Sequence, residues 1–169
     1  MITIGLITIV VPVLLIAAAA WDLASFTIPN LIQVLLVAGF ALFAISGALG
    51  PAEFGSHLLA GFLGLVIGFT LFTLGYIGGG DAKLFACVAL WFGLDDVLSY
   101  ALIASLFGGA LTLGLLAMRK LPMPALLTNQ GWLMRLHDER EGIPYGVALA
   151  AGAFFLLPHS EIFRVASGG

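Results

Sequence analysis

Long apolar runs separated by short polar or glycine-rich breaks make up almost the whole chain. About 20 consecutive apolar residues are enough for one helix to cross a bilayer. The pattern predicts six hydrophobic helices, at about 2–21, 31–48, 57–76, 82–94, 97–118 and 143–158. The fourth is short for a span, so it either continues through Asp95 into a tight turn or re-enters the membrane. A longer polar stretch, Pro122 to Gly142, separates the last two helices.

The composition places this pattern in the membrane class. The 169 residues are 62% hydrophobic and 9% charged, and the mean hydropathy is +1.17, whereas soluble domains carry far more charge. No Lys or Arg precedes the first apolar run, which is therefore expected to be a retained helix rather than a signal peptide. We expect an all-α polytopic membrane protein of about six transmembrane helices. We expect it to form a single membrane-embedded domain over residues 1–169, with no soluble domain.

Several kinds of site are not expected from this composition. The single cysteine, Cys87, lies in an apolar run and is expected to be a buried, inert thiol. No residues have metal-ligand spacing, so neither a metal nor another cofactor is predicted. The six Lys and Arg residues are too few and too scattered for nucleic-acid binding. The expected surroundings are membrane lipid.

The basic residues predict the orientation of the chain. With six spans, the loops after the first, third and fifth helices lie on one side of the membrane. Five of the six Lys and Arg residues fall on that side: Lys83, Arg119, Lys120, Arg135 and Arg140. Cytoplasmic loops of membrane proteins are enriched in Lys and Arg, so this side is predicted to face the cytoplasm. Asp22 and Asp81 both lie on it.

These two aspartates are the strongest candidates for chemistry. Asp22 ends the first apolar run, and Asp81 begins the fourth. Taken singly, each is explained equally well as a capping or interfacial residue, and Asp81 is well placed as a helix N-cap. Taken together, two nearby carboxylates can share one proton and titrate as a unit. One can then activate water as a general base while the other donates to a carbonyl, as in aspartic proteases.

The neighbours of the aspartates suggest how they are held. The three glycines before Asp81 permit positive φ angles and close approach of another backbone. Pro29 fixes its own φ, and Asn30 can cap the second helix, so both are expected to support the Asp22 loop. Lys83 can reach the cytoplasmic interface or bias the aspartate pair electrostatically, and we favour the interface role.

Three segments resemble the motifs of the type IV prepilin peptidases. Gly78-Gly79-Gly80-Asp81-Ala82-Lys83-Leu84 is similar to the Gly-x-Gly-Asp motif of that family. Asp22, followed by Ile28-Pro29-Asn30, is similar to its first motif, and Ile143-Pro144-Tyr145-Gly146 to the start of its last span. The resemblance implies that Asp22 and Asp81 are catalytic. It also implies that the glycines, Lys83, Pro29, Asn30 and Pro144 support the site or lie near the substrate.

The resemblance further implies a multi-pass enzyme of the bacterial inner membrane, with its active site facing the cytoplasm. Such an enzyme is an aspartic endopeptidase that cuts between the basic leader and the hydrophobic segment of prepilins or pseudopilins. The short chain looks like the branch that serves Flp-type pili, often called TadV or CpaA, and methyltransferase activity is not expected. The family commonly has basic residues soon after the first aspartate, where this chain has Ala24-Ser25-Phe26-Thr27.

Two other functions are compatible with intramembrane acids. A proton-coupled small transporter would also place carboxylates within a helix bundle. A non-enzymatic membrane subunit of pilus assembly would use both aspartates only as caps. The position of both aspartates at helix ends, rather than at mid-span, favours the peptidase.

Overall fold

The fold is a bundle of helices. The computed structural model describes residues 2–122 and 130–168, and of residue 2 only the backbone. The helices are α1 (Ile2–Gly5), α2 (Val11–Ser25), α3 (Asn30–Ile45), α4 (Pro51–Thr73), α5 (Gly79–Arg119), α6 (Gly131–His137), α7 (Tyr145–Leu156) and α8 (Glu161–Ser167). A π-helical turn, Leu6–Val10, makes α1 and α2 continuous, and a 3₁₀ turn, Leu157–His159, follows α7. The all-α prediction is confirmed for the described part of the chain.

Length and hydropathy identify fewer spans than the six predicted. Within the described ranges, three helices are long and apolar enough to cross a membrane: Thr3–Ser25, Pro51–Thr73 and Gly79–Arg119. A fourth is added if Tyr145–His159 and Glu161–Ser167, which are bent by 50°, count as one. By this criterion the protein has three to four candidate membrane-spanning helices, and six spans are not confirmed.

Large apolar side chains cover the outside of the bundle. Leu106 is 75% exposed, Leu113 is 71% exposed and Ile45 is 82% exposed. A soluble protein rarely leaves so many large side chains in water, whereas lipid solvates them well. Inside, Trp91 is buried and donates its indole N–H to the carbonyl of Leu36 at 3.0 Å. This contact ties α3 to α5.

A break at Gly93 divides α5 into two halves, 79–92 and 94–119. Gly93 has φ 66° and ψ −177°, a backbone conformation that residues with a Cβ rarely adopt. The imidazole of His57 packs against it, only 3.1 Å from where a Cβ would lie. One of the two alternatives drawn from the sequence placed a tight turn at Asp95. That position is wrong, because Gly93, two residues earlier, supplies the unusual φ and Asp95 is already helical.

The first half of α5 packs closely against α4. A Cβ added at Gly68 would lie 2.8 Å from the carbonyl oxygen of Ala82, and one at Gly64 would lie 2.8 Å from the Cβ of Ala89. Small residues at such positions let two helix backbones approach within a membrane. The contacts continue to His57, whose Nδ1 lies 2.9 Å from the carbonyl oxygen of Leu90. The segment 79–92 therefore follows α4 in the opposite direction for most of its length.

The second half of α5 returns alongside α7. A Cβ added at Gly152 would lie 2.9 Å from the backbone of Ala104, and Gly108 packs against the ring of Tyr145. Near Gly93, the backbone N–H of Glu161 donates to Oδ2 of Asp96 at 2.7 Å. The chain therefore reverses direction at Gly93, and 94–119 ends near the start of α7.

Other boundaries also differ from the predicted ones. The predicted polar stretch contains the short helix α6, while its part at 123–129 lies outside the described residues. The last predicted helix ends earlier than expected, at Leu156, because Pro158 interrupts the backbone hydrogen bonding. The additional helix α8 follows, capped by Ser160, whose Oγ accepts from the N–H of Phe163. Cys87 is buried, as predicted.

Candidate active site

Asp22 and Asp81 are far apart in the sequence, but they line one cavity. The side chains are only 3% and 5% exposed, respectively. The cavity has a volume of about 280 Å³. Its walls are formed by Asp22, Phe26, Thr27, Ile28, Asn30, Gly78, Gly79, Gly80, Asp81 and Lys83.

The last turn of α2 presents Asp22 to the first turn of α7. Oδ2 of Asp22 accepts a hydrogen bond from the backbone N–H of Gly146 at 2.8 Å. The first N–H groups of a helix have no partner within the helix, and its N-terminus favours negative charge. Asp22 therefore gives a hydrogen-bond partner to the first turn of α7, and this contact fixes the position of its carboxyl.

Gly146 is needed at this contact because there is no space for a Cβ atom. A Cβ on Gly146 would lie 2.8 Å from Oδ2 of Asp22 and 2.8 Å from Cδ1 of Ile28. Sequence reasoning did not assign Gly146 to the site, although the motif Ile143-Pro144-Tyr145-Gly146 contained the signal. Pro144 is fully buried as the N-cap of α7 and fixes where that helix begins.

Asp81 is the third residue of α5, and Gly78 is the N-cap. Oδ2 of Asp81 accepts a hydrogen bond from the N–H of Gly78 at 3.1 Å, so the side chain of Asp81 is bonded to the backbone of the N-cap residue. The prediction that Asp81 is itself the N-cap is wrong, because the helix begins at Gly79. Oδ1 of Asp81 is buried and has no hydrogen-bond partner among the described residues.

The glycine segment before Asp81 allows another part of the backbone to approach closely. A Cβ on Gly80 would lie 3.3 Å from the backbone nitrogen and the Cβ of Ile28. The Asp22 loop can therefore lie directly on the glycine segment. The positive φ angles that glycine permits are not used there: Gly75 and Gly93 have positive φ, and Gly78, Gly79 and Gly80 do not. The chain turns at Gly75 instead.

The start of α3 connects the two aspartate loops. Lys83 Nζ donates to Oδ1 of Asn30 at 2.9 Å, and Gln33 Nε2 donates to the carbonyl of Gly80 at 3.3 Å. Pro29 is the N-cap of α3, and in the described structure no side chain caps this helix. The capping role predicted for Asn30 is therefore wrong, because Asn30 is the first helical residue and its amide binds Lys83.

The site thus brings two carboxylates to the N-termini of two helices, α5 and α7. Each carboxylate has one oxygen held by a backbone N–H. Within 2–122 and 130–168, no group of three or more His, Cys, Asp or Glu residues could hold a metal ion. Two carboxyl groups that line one cavity are suited to proton transfer to and from water and a carbonyl.

Comparison with known proteins identifies the family. Searches of curated proteins and of solved structures found no match. A model of the type IV leader peptidase family matches residues 9–113, which include Asp22 and Asp81. The match covers more than half of the 169 residues and ends before Pro144 and Gly146. The chain belongs to the type IV leader peptidase family.

Proposed function

We propose that the protein is an aspartic endopeptidase that removes the basic leader from type IV, Flp-like prepilins or pseudopilins. The observation that carries this proposal is the shared cavity of Asp22 and Asp81. Membership of a leader peptidase family supports peptide hydrolysis as the reaction. The scissile bond lies between the leader and the hydrophobic segment of the substrate. No methyl transfer is proposed.

The aspartate pair acts on water bound between the two carboxyls. The ionised carboxylate takes a proton from the water, whose oxygen attacks the scissile carbonyl carbon. The protonated partner gives its proton to the carbonyl oxygen, forming a neutral tetrahedral intermediate. Collapse of the intermediate breaks the C–N bond, and the carboxyl that took the proton gives it to the leaving amine. The other carboxylate takes back a proton from a hydroxyl of the intermediate, which leaves as the new carboxylic acid. The pair again holds one proton, so it is ready for the next substrate.

Several observations support an active site at the cytoplasmic face of the bacterial inner membrane. Arg119 lies at the same end of the bundle as the aspartates, donating to the carbonyls of Leu136 and Gly142. Arg164 lies at the opposite end, paired with Glu161 and near Asp96. The distribution matches the positive-inside rule. We propose six passes, with α5 supplying two, because 41 helical residues would extend about 60 Å, twice the hydrocarbon thickness.

Cleavage by the purified protein tests the proposal. The protein is reconstituted in liposomes of phosphatidylethanolamine and phosphatidylglycerol with each prepilin encoded in the same genome. Mass spectrometry then locates any cut. We expect one cut, at the junction of the basic leader and the hydrophobic segment of at least one prepilin. Intact prepilins throughout, or cuts elsewhere, would contradict the proposal, and proton flux in the same liposomes would then favour a transporter.

A further inference from the structure

A large groove opens on the outside of the bundle between α3 and α4. Its volume is about 670 Å³, and its floor is the first half of α5. Its walls are almost entirely apolar and include Val37, Ala38, Ala41, Phe62, Ala86 and Leu90. From Asn30 to Ala41 the groove follows α3 for about 16 Å, or three helical turns.

One end of this groove is closed, and the other joins the catalytic cavity. At the closed end, the rings of Phe40 and Phe54 stack at 6.4 Å, and Phe40 lies 5.4 Å from the His57 ring. At the other end, Asn30 and Lys83 line both the groove and the cavity that contains the aspartates. An occupant of the groove would therefore have one end beside the catalytic pair.

The walls favour a helix as the occupant. Lipid tails are as apolar as a protein side chain, so helices associate in membranes through close packing on small residues. Ala38, Ala41 and Ala86 provide such a surface. A lipid chain would not need a polar group at the end of the groove that joins the catalytic cavity. There, the Oε1 atom of Gln33 has no hydrogen-bond partner among the described residues.

Gln33 matches a need that a substrate helix has at its start. Its side chain is 6% exposed and lines the groove, while its Nε2 atom is already bound to Gly80. The first N–H groups of a helix are unsatisfied, and leaving them so in the membrane is costly. The Oε1 atom of Gln33 can accept one of these N–H groups from a helix that begins just after the scissile bond.

We propose that the groove between α3 and α4 holds the hydrophobic helix of the substrate, with the N-terminal end of that helix at Gln33 and Lys83. The inference rests on the proposed function, and it adds a binding surface for the part of the substrate that is not cut. The scissile bond then lies in the cavity, and the leader extends toward the cytoplasm.

A second groove provides a control. It has a volume of about 610 Å³ and is lined by the second half of α5, including Ser105, Gly109 and Leu113. Unlike the first groove, it shares no lining residue with the catalytic cavity. Ala38 and Ser105 are both exposed on their helices, so a phenylalanine at either position fills a groove without entering the core.

Cleavage kinetics with a full-length prepilin test the assignment. Ala38→Phe is expected to raise KM about tenfold with little change in kcat, because it removes binding rather than chemistry. Ser105→Phe is expected to change KM less than twofold, and both variants should unfold at the wild-type temperature. Equal KM values for Ala38→Phe and wild type would overturn the inference, as would a larger effect of Ser105→Phe.

Photo-crosslinking separates this inference from the proposed function. A crosslinking amino acid is placed at Val37 or at Leu113 in the Asp81→Asn variant, so that bound prepilin stays intact. Crosslinks to the substrate's hydrophobic segment from Val37, and not from Leu113, are expected. If wild type cleaves prepilin but Val37 crosslinks only lipid, or Leu113 captures the substrate, the groove assignment fails and the peptidase proposal stands. If wild type cleaves no prepilin, both fail.

Discussion

The backbone N–H of Gly146 donates a hydrogen bond to Oδ2 of Asp22 at 2.8 Å, although 124 positions separate the two residues in sequence. The first turn of α7 therefore holds the carboxyl of Asp22 in place. A helix outside the two aspartate motifs thus positions one of the two acids.

Replacing Gly146 with alanine is expected to reduce cleavage by about a hundredfold, because a displacement near 1 Å in catalytic groups can cost that much. The added Cβ would lie 2.8 Å from Oδ2 of Asp22, so the carboxyl must move. Initial rates of prepilin cleavage in liposomes measure the effect. Gly109→Ala is the matched control, because a Cβ there meets nothing within 4 Å. Rates for Gly146→Ala within twofold of wild type would show that this contact does not position Asp22.

The helical class could be predicted, and the two aspartates could be proposed as candidates, because each has a local signal. Apolar runs identify helices, and an acid at the end of such a run is conspicuous. The position of the chain reversal in α5 could not be predicted, because Gly93 is one of many glycines and nothing in the local sequence reveals its φ of 66°. The turn after Asp22 has a similar origin, since Phe26 adopts a left-handed φ of 55° that its side chain does not favour.

The contacts between loops also could not be predicted from the sequence. Asn30 suits an N-cap by residue type, yet its amide accepts from Lys83 across the fold. Glycines at 78–80 suit a turn, yet at Gly80 the missing Cβ allows Ile28 to approach. In both cases a residue with a strong local preference is used in a tertiary contact, which no local pattern reveals.

Gly68→Ala is expected to lower the free energy of unfolding by about 1–3 kcal/mol more than the control variant Gly114→Ala does, because overpacking a core has a cost of this size. The added Cβ would lie 2.8 Å from the carbonyl oxygen of Ala82, which is backbone and cannot rotate away. The control is Gly114→Ala, whose Cβ meets nothing within 4 Å and which gains the same helix propensity. Thermal unfolding in detergent measures both. Equal unfolding temperatures for the two variants would mean that α4 and α5 pack less closely than described.

The cleavage rate is expected to rise and then fall with pH. At low pH both carboxyls are protonated, so no base is available to water. At high pH both are ionised, so no acid is available to the carbonyl. The two limbs belong to the pair and not to either residue, because both carboxyls line one cavity. Rates measured across the acid and neutral range on one prepilin provide the profile, and a flat profile would argue against a carboxylate pair.

Cleavage by single aspartate variants tests the central claim most directly. Asp22→Asn and Asp81→Asn are each expected to lower the initial rate by about a thousandfold, since each removes one proton-transfer group. Asp95→Asn, an exposed position beyond Gly93, is the matched control and is expected to cleave at the wild-type rate. All three should insert and fold as wild type does. Leader removal near the wild-type rate by Asp22→Asn or Asp81→Asn would contradict the account.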